Sequence, residues 1–330
     1  MSAENLLAAA LSGDTSAFDQ LVAPYRRELR AHCYRMLGTV HDADDAVQDA
    51  LLGAWRGLSG FQGRAAFRSW LYRIATNTCL KQLRDRPKRL LSADYFPAAN
   101  GVDDLGAPQL DKAWLEPYPS GPEDTYEQRE GVELAFVAAL QHLPATQRAV
   151  LILRAVLGFS AAEVAEVMDS SVASVNSALQ RARKTLDEHA PSQSQQVTLA
   201  ALGDDGQRAL VTRFVDAWER ADVPAIVGML TEDARLTMPP LPIWLDGADM
   251  VALFLRERIF ATPWRVVPAT VNGQLAFAAY QGQPDGTFAL GGVNVLTVRG
   301  DRVSAITSFL DPGWLSPFEL PKEFPGPPMS

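Results

Sequence analysis

Residues 61–89 read FQGRAAFRSWLYRIATNTCLKQLRDRPKR, and the organisation of the chain follows from them. From Arg64 onward this stretch holds eight basic residues (Arg64, Arg68, Arg73, Lys81, Arg84, Arg86, Lys88 and Arg89) against one acid, Asp85. Phe67, Trp70, Leu71, Ile74, Ala75, Cys79 and Leu80 recur at helical spacing, so a helix here buries one stripe and shows a basic face. The loop before it carries Gly60, Phe61, Gln62 and Gly63. A basic helix beside a flexible aromatic loop suits a single nucleic-acid strand, since cations track phosphates and rings stack on bases. The same pattern also describes an ordinary amphipathic helix with a solvated basic side.

Working outward, the chain of 330 residues predicts two to three domains, and 47% hydrophobic residues suffice for their cores. No apolar run is long enough for a membrane span, and the N-terminal MSAENLLAAALSG lacks the basic region of a signal peptide. A cytoplasmic protein is expected, and the two isolated thiols, Cys33 and Cys79, fit a reducing compartment. His32 beside Cys33 has no second ligand pair at zinc spacing, so no metal and no cofactor are expected. The net charge of −9 argues against tight autonomous DNA binding, but the charge is segregated. Residues 92–130 carry nine acids and two bases, an acidic connector between basic modules.

Residues 3–37 read as helices, with Asp14 or Thr15 as a cap and an interruption near Pro24. The next helix begins near His41–Asp42 and buries Ala46, Val47, Ala50, Leu51, Ala54, Trp55 and Leu58; Asp45, Gln48 and Asp49 lie elsewhere on its surface. In the connector, WLEPYP at 114–119 is an apolar island that packs on its own domain or docks elsewhere. Residues 131–189 form a second basic module. Pro144 ends its first helix, Gly158 its second, and Ser160 with Glu163 makes a capping box for the third. A turn at Asp169, Ser170 and Ser171 then leads to a final helix over about 172–188, a helix-turn-helix whose second helix would enter a major groove. Its candidate base and phosphate contacts are Ser171, Ser174, Asn176, Ser177, Gln180, Arg181, Arg183 and Lys184.

Beyond a polar linker at 191–203, residues 204–311 change pattern. Two helices, a further helix over 247–260, and strand-like runs at 234–238, 264–271, 274–280, 288–298 and 303–309 predict an α+β cone with a curved antiparallel sheet. Asn272-Gly273 and Arg299-Gly300-Asp301 are its hairpin turns. Trp218, Met238, Trp244, Phe254, Trp264, Tyr280 and Asn294 either line a pocket in the cone or fill its core. The domain has no histidine, and Asp233, Asp246 and Asp311 form no recognisable acid–base pair, so a regulatory or ligand-sensing domain is favoured over an enzyme. The tail, 312–330, has six prolines interleaved with aromatic residues and is expected to pack across the cone or bridge to earlier segments.

GTVHDADDAVQDALLGAWRGL at 38–58, followed by FQGRAAFRSWLYRIATNTCLKQLRDR, resembles region two of bacterial extracytoplasmic-function (ECF) sigma factors. LQHLPATQRAVLILRAVLGFSAAEVAEVMDSSVASVNSALQRARKTL at 140–186 resembles their region four. With a cone similar to the SnoaL/NTF2 class, the chain looks like the long SigG/SigJ-type members. The resemblance implies a multidomain fold. Two all-α sigma domains, a region-two helical bundle (1–90) and a region-four helix-turn-helix (131–190), flank an acidic flexible linker (91–130). An NTF2-like cone (204–311) and a Pro-rich tail (312–330) follow. It also implies core RNA polymerase (the beta-prime clamp and beta flap) and promoter DNA as partners, with a small-molecule ligand of the cone as a further candidate and no membrane. On this likeness Asp45, Gln48 and Asp49 contact polymerase. Phe61, Gln62, Gly63 and Arg64 form the loop that takes a flipped −10 base, while Arg68, Trp70, Tyr72, Arg73, Asn77 and Lys81 are the helix candidates. Trp70 and Tyr72 cannot both face DNA, and Trp70 is expected in the core. The connector either threads through polymerase or is held by the C-terminal domain. The competing readings are a bifunctional protein with a SnoaL-like catalyst and a helix-turn-helix regulator that works without polymerase.

Overall fold

A computed structural model describes residues 2–61, 63, 66–84, 86–121, 129, 131–191, 193–310 and 313–324. The chain divides into two compact units. One joins Met1–Arg89 to Ala135–Ala190, and the other joins Leu90–Leu134 to Pro191–Ser330. Among the described residues no helix is long and apolar enough to cross a membrane.

The first unit begins with α1 (Ala3–Leu11), α2 (Thr15–Val22), α3 (Arg26–Leu37), α4 (Val40–Gly57) and α5 (Phe67–Gln82). Asp14 starts α2 by accepting the Ser16 and Ala17 N–H groups at 2.9 and 3.1 Å. Pro24 lies in a 3-10 turn, Ala23–Tyr25, that separates α2 from α3. Gly38 stops α3 at a left-handed φ of 77°. Helix α4 starts at Val40, slightly earlier than the sequence suggested, because Thr39 Oγ1 accepts the Asp42 N–H at 2.9 Å. Its buried Ala43, Ala46, Ala50 and Ala54 fall at helical spacing and let α3, α4 and α5 pack closely around Leu29, Tyr34, Met36, Leu71 and Tyr72.

The same unit holds Ala145–Leu151, continued by a π-helical turn Ile152–Val156, then Ala161–Val167 and Val172–His189. Ser160 and Glu163 form a reciprocal capping box at 2.7 and 3.2 Å. Asp169, at φ 48°, turns the chain, and Ser171 caps the last helix by accepting the Ser174 N–H. Arg148 is buried at 3% exposure and ties this half to α3. Its guanidinium donates to the Met36 carbonyl, to Gln141 Oε1 at 2.7 Å, and to the Gln141 and Leu143 carbonyls at 3.1 and 3.2 Å. Gln141 Nε2 in turn donates to the Arg35 carbonyl.

The second unit is built on a sheet of β1 (Leu230–Thr237), β2 (Trp244–Asp246), β3 (Trp264–Val271), β4 (Gln274–Gly282), β5 (Phe288–Arg299), β6 (Arg302–Phe309) and β7 (Glu323–Phe324). The order is β2-β1-β6-β5-β4-β3, with β7 on β5. The sheet is mixed, not wholly antiparallel as the pattern implied: β1 and β6 pair in parallel, because the chain after β1 runs through β2, the helix Ala248–Phe254 and three further strands before returning beside it. Gln195–Glu219, kinked at Gly203, and Val223–Gly228 supply the other helices. Phe214, Trp218, Ile226, Phe254, Phe277, Leu296 and Ile306 belong to the core between them and the sheet, with the Phe214 and Phe277 rings stacked at 4.8 Å. Residues 195–203 are therefore helical where a polar linker was expected; the Ser194 hydroxyl and the buried Glu133 carboxylate satisfy the first N–H groups of that helix.

The connector also differs from a free acidic linker. Trp114, Leu115 and Tyr118 are buried, and each removes about 2 kcal/mol worth of apolar surface from water. Ala99 N–H donates to the Trp244 carbonyl, Trp244 Nε1 to the Phe96 carbonyl, Ser92 Oγ to the Leu241 carbonyl and Gln109 N–H to the Pro240 carbonyl. Asp94, Asp103, Asp104 and Asp111 stay exposed while the apolar island turns inward and takes Glu116 with it. The β3–β4 turn fastens the remainder. Asn272 and Gly273, at φ 54° and 67°, form the anticipated hairpin turn. Asn272 is fully buried: its Oδ1 accepts the Tyr118 N–H at 2.9 Å and its Nδ2 donates to the Val132 carbonyl at 2.7 Å. Gln274 Oε1 accepts the Leu134 N–H and its Nε2 donates to the Leu296 carbonyl. A Cβ on Gly273 would lie 2.8 Å from the Arg129 backbone, so glycine is required there twice over. The tail packs on the same cone through β7, where Phe324 meets the Tyr280 ring edge-on at 4.6 Å.

Candidate nucleic-acid interface

On α5, the exposed Arg73, Asn77 and Lys81 stand four residues apart and form one row along the helix. Leu71, Ala75 and Cys79 occupy the buried side. Arg68 does not join this row. Its guanidinium bonds both Glu28 carboxylate oxygens at 2.9–3.2 Å and lies 4.9 Å from the Tyr72 ring centroid and 5.1 Å from that of Phe159. The expected placement of Trp70 and Tyr72 is reversed. Tyr72 is fully buried, edge-on to His32 at 5.1 Å and to Phe159 at 5.3 Å, and burial pushes its phenol well above the usual range. Trp70 is half-buried in an aromatic cluster with Phe61 and Phe67, at 5.1 and 5.6 Å. Two neighbours distant in sequence, His32 and Phe159, claim Tyr72, and helical periodicity shows neither. Phe61 and Gly63 flank the start of this surface; Gly63 is exposed at φ 66° with open space around its Cα. Gln62 and Arg64 lie outside the described residues.

Asp45, Gln48 and Asp49 are exposed on the face of α4 opposite its alanine stripe. Leu52, 45% exposed, shares that face and adds an apolar side chain that the sequence reading missed. Its signal was present: a leucine out of phase with the stripe. Asp44 next to them pairs with Arg30 at 2.6 Å.

Along Val172–His189, Val175, Leu179 and Ala182 are buried, and Ser171, Ser174, Asn176, Ser177, Gln180, Arg181, Arg183 and Lys184 are exposed. Asn176, Gln180 and Lys184 form one row. Two serines are occupied locally: Ser171 as the cap, and Ser177, whose Oγ accepts from Arg181 Nη1 at 2.8 Å. Val172 at the start of the helix is 45% exposed, an apolar side chain of the kind that meets a thymine methyl. It too was absent from the sequence candidates.

The seven candidate pocket residues do not line one cavity. Trp218, Met238 and Phe254 belong to the packed core, with Trp264 against it. Tyr280 lies on the other face of β4 from the core residues Phe277 and Ala279. Asn294 accepts the Ser308 hydroxyl, and Trp244 is held by Phe96. An open groove of about 530 Å³ lies elsewhere, between 96–106 and Pro242–Ile243. Asp233 and Asp246 are exposed and ion-paired with Arg299 and Arg235, while Asp311 lies outside the described residues.

Three family models match successive parts of the chain: Sigma-70 region 2 over residues 21–89, Sigma-70 region 4 over 133–186, and the SnoaL-like domain over 211–306. The ECF RNA polymerase sigma factor SigG of Mycobacterium tuberculosis is 41% identical over 319 residues, which cover 94% of this chain and 84% of that one. The chain belongs to the ECF RNA polymerase sigma factors. The RNA polymerase sigma-H factor of Pseudomonas aeruginosa is 32% identical over 183 residues, covering 53% of this chain and 87% of its own. This fits an ECF sigma factor whose C-terminal part is an addition to the two sigma regions. The crystal structure of M. tuberculosis SigJ shares the fold across 91% of this chain and 100% of its own, with a TM-score of 0.61 at 22% identity. The α5 row and the helix Val172–His189 thus lie in regions 2 and 4 of an ECF sigma factor that directs RNA polymerase to promoters. A regulator working without polymerase is not favoured. The fused SnoaL-like family includes enzymes.

Proposed function

We propose that the SnoaL-like domain of this sigma factor acts by holding the connector between regions 2 and 4. The observation that carries the reading is that Leu90–Leu134 and Pro191–Ser330 form one compact unit, with the connector bonded to the β3–β4 turn. A connector so held is withheld from polymerase until the cone lets it go. On this reading the cone is a regulatory clasp and not a catalyst: its two described candidate carboxylates are ion-paired at the surface, and Trp218 and Phe254, named for a pocket, fill its core. A small-molecule ligand would enter as the signal that loosens the clasp.

Within the first unit the reading assigns Asp45, Gln48 and Asp49, with Leu52 as their apolar anchor, to the polymerase clamp. Phe61, Gly63, Arg73, Asn77 and Lys81, with Gln62 and Arg64 from the same loop, take the −10 strand. Arg68 joins them only after leaving Glu28. Ser174, Asn176, Gln180, Arg183 and Lys184 face the −35 duplex, and Ser171, Ser177 and Arg181 shape that helix. Region 4 also meets the flap. In run-off transcription with core polymerase, Asp45→Lys with Asp49→Lys lowers output at least tenfold and leaves binding to −35 duplex unchanged. Equal loss of both would remove the assignment. Lys184→Ala weakens duplex binding on every sequence and reduces its salt slope by about one.

A further inference from the structure

We infer that the first unit contains a binding site for one phosphate-class oxyanion, in the cavity where residues 86–89 meet Gln141 and Arg148. The cavity measures about 140 Å³. At roughly 30 Å³ per water it holds four to five waters, room enough for a single tetrahedral anion. Among the described residues Arg86, Lys88, Arg89 and Arg148 line it together with one carboxylate, Asp42, so four cations face one acid there. Asp42 is already shared, bonding Arg86 at 2.5 Å and Arg89 at 2.7 Å.

Arg148 supplies the second, independent observation. It is 97% buried, and the acceptors of its Nη groups are neutral: three carbonyls and the Gln141 amide oxygen. Its Nε has no hydrogen-bond partner, and among the described residues no carboxylate pairs with it. A buried cation without a counter-charge is costly, and an anion in the adjoining cavity would relieve that cost. Burial alone pulls this guanidinium down to about 10, the direction an absent counter-ion produces. An oxyanion here would bond side chains of region 2 (Arg86, Lys88 and Arg89) and neutralise the nearby charge of Arg148 in region 4, whose Nη hydrogens are already taken, and so favour their packing within this unit.

The test uses the full-length protein at ionic strength held constant with sodium chloride, titrated with inorganic phosphate and followed by calorimetry and thermal unfolding. The expected result is saturable one-to-one binding with a matching rise in Tm, weakened at least tenfold by Arg86→Gln with Lys88→Gln. Both residues are exposed, and Arg86→Gln alone, which leaves Arg89 on Asp42, serves as the second variant. Glycerol phosphate separates the sources: binding like phosphate identifies a phosphomonoester headgroup, and exclusion identifies the free ion, each within the proposed class. A response to phosphate no larger than to chloride, or preserved in both variants, would overturn the site. So would binding of dimethyl phosphate alone, because a diester would mark nucleic-acid backbone.

Discussion

Replacing Asn272 with glycine releases the connector. Glycine accepts the turn's φ of 54°, so Asn272→Gly keeps the backbone and removes only the side chain. The Tyr118 N–H and the Val132 carbonyl then lose their buried partners. Two such orphaned groups cost about 3 kcal/mol together, which speeds amide exchange over 114–119 roughly a hundredfold by opening this segment. Hydrogen–deuterium exchange on the full-length protein reads this directly. Unchanged protection of 114–119 would mean that the clasp lies elsewhere on the cone.

Acid destabilises the first unit well above the range where carboxylates titrate. His32 is wholly buried between α3 and α5, with Nε2 2.9 Å from Thr76 Oγ1. Burial, and then the charge of Arg35, lower its pKa from 6.5 to about 3. The folded protein therefore keeps His32 neutral while the unfolded chain takes up a proton. The stability is fully present above pH 6.5 and drains away as pH falls from there toward 3, at about 1.4 kcal/mol per pH unit. Between pH 7 and 5 the loss is about 2 kcal/mol in urea unfolding, and His32→Gln flattens that slope whatever it does to stability at pH 7. Asp42 acts in a lower window. Burial raises its pKa, but the Arg86 hydrogen bond and the Arg89 and Arg86 charges outweigh it, so its contribution is lost only as pH falls below the ordinary aspartate value. A wild-type slope retained by His32→Gln between pH 7 and 5 would assign the effect to another group.

What the sequence made legible is local. The Ser160–Glu163 box, the Asn272-Gly273 turn and the exposed row Arg73, Asn77, Lys81 all follow from residues within a few positions of one another. The rest depends on partners far along the chain. Trp70 and Tyr72 lie on different faces of one helix, and only the approach of His32 and Phe159 decides which is fully buried. The docked connector was illegible for the same reason. Asn272, Gln274 and Glu133 look like ordinary surface polar residues, and their burial is explained only by backbone groups as many as 154 positions away. The parallel pairing of β1 with β6 likewise spans the whole cone. Leu52 and Val172 were legible as apolar residues off the buried stripe, but stripe counting discards such residues.

The clasp is tested most directly by run-off transcription with purified core polymerase, comparing the full-length sigma factor with a chain ending at Ala190. That end point removes only residues of the second unit. The account predicts protein-dependent transcripts from both, and several-fold more from the shortened chain, whose connector is free. Equal or lower output from the shortened chain, with polymerase active on a control promoter, would contradict it.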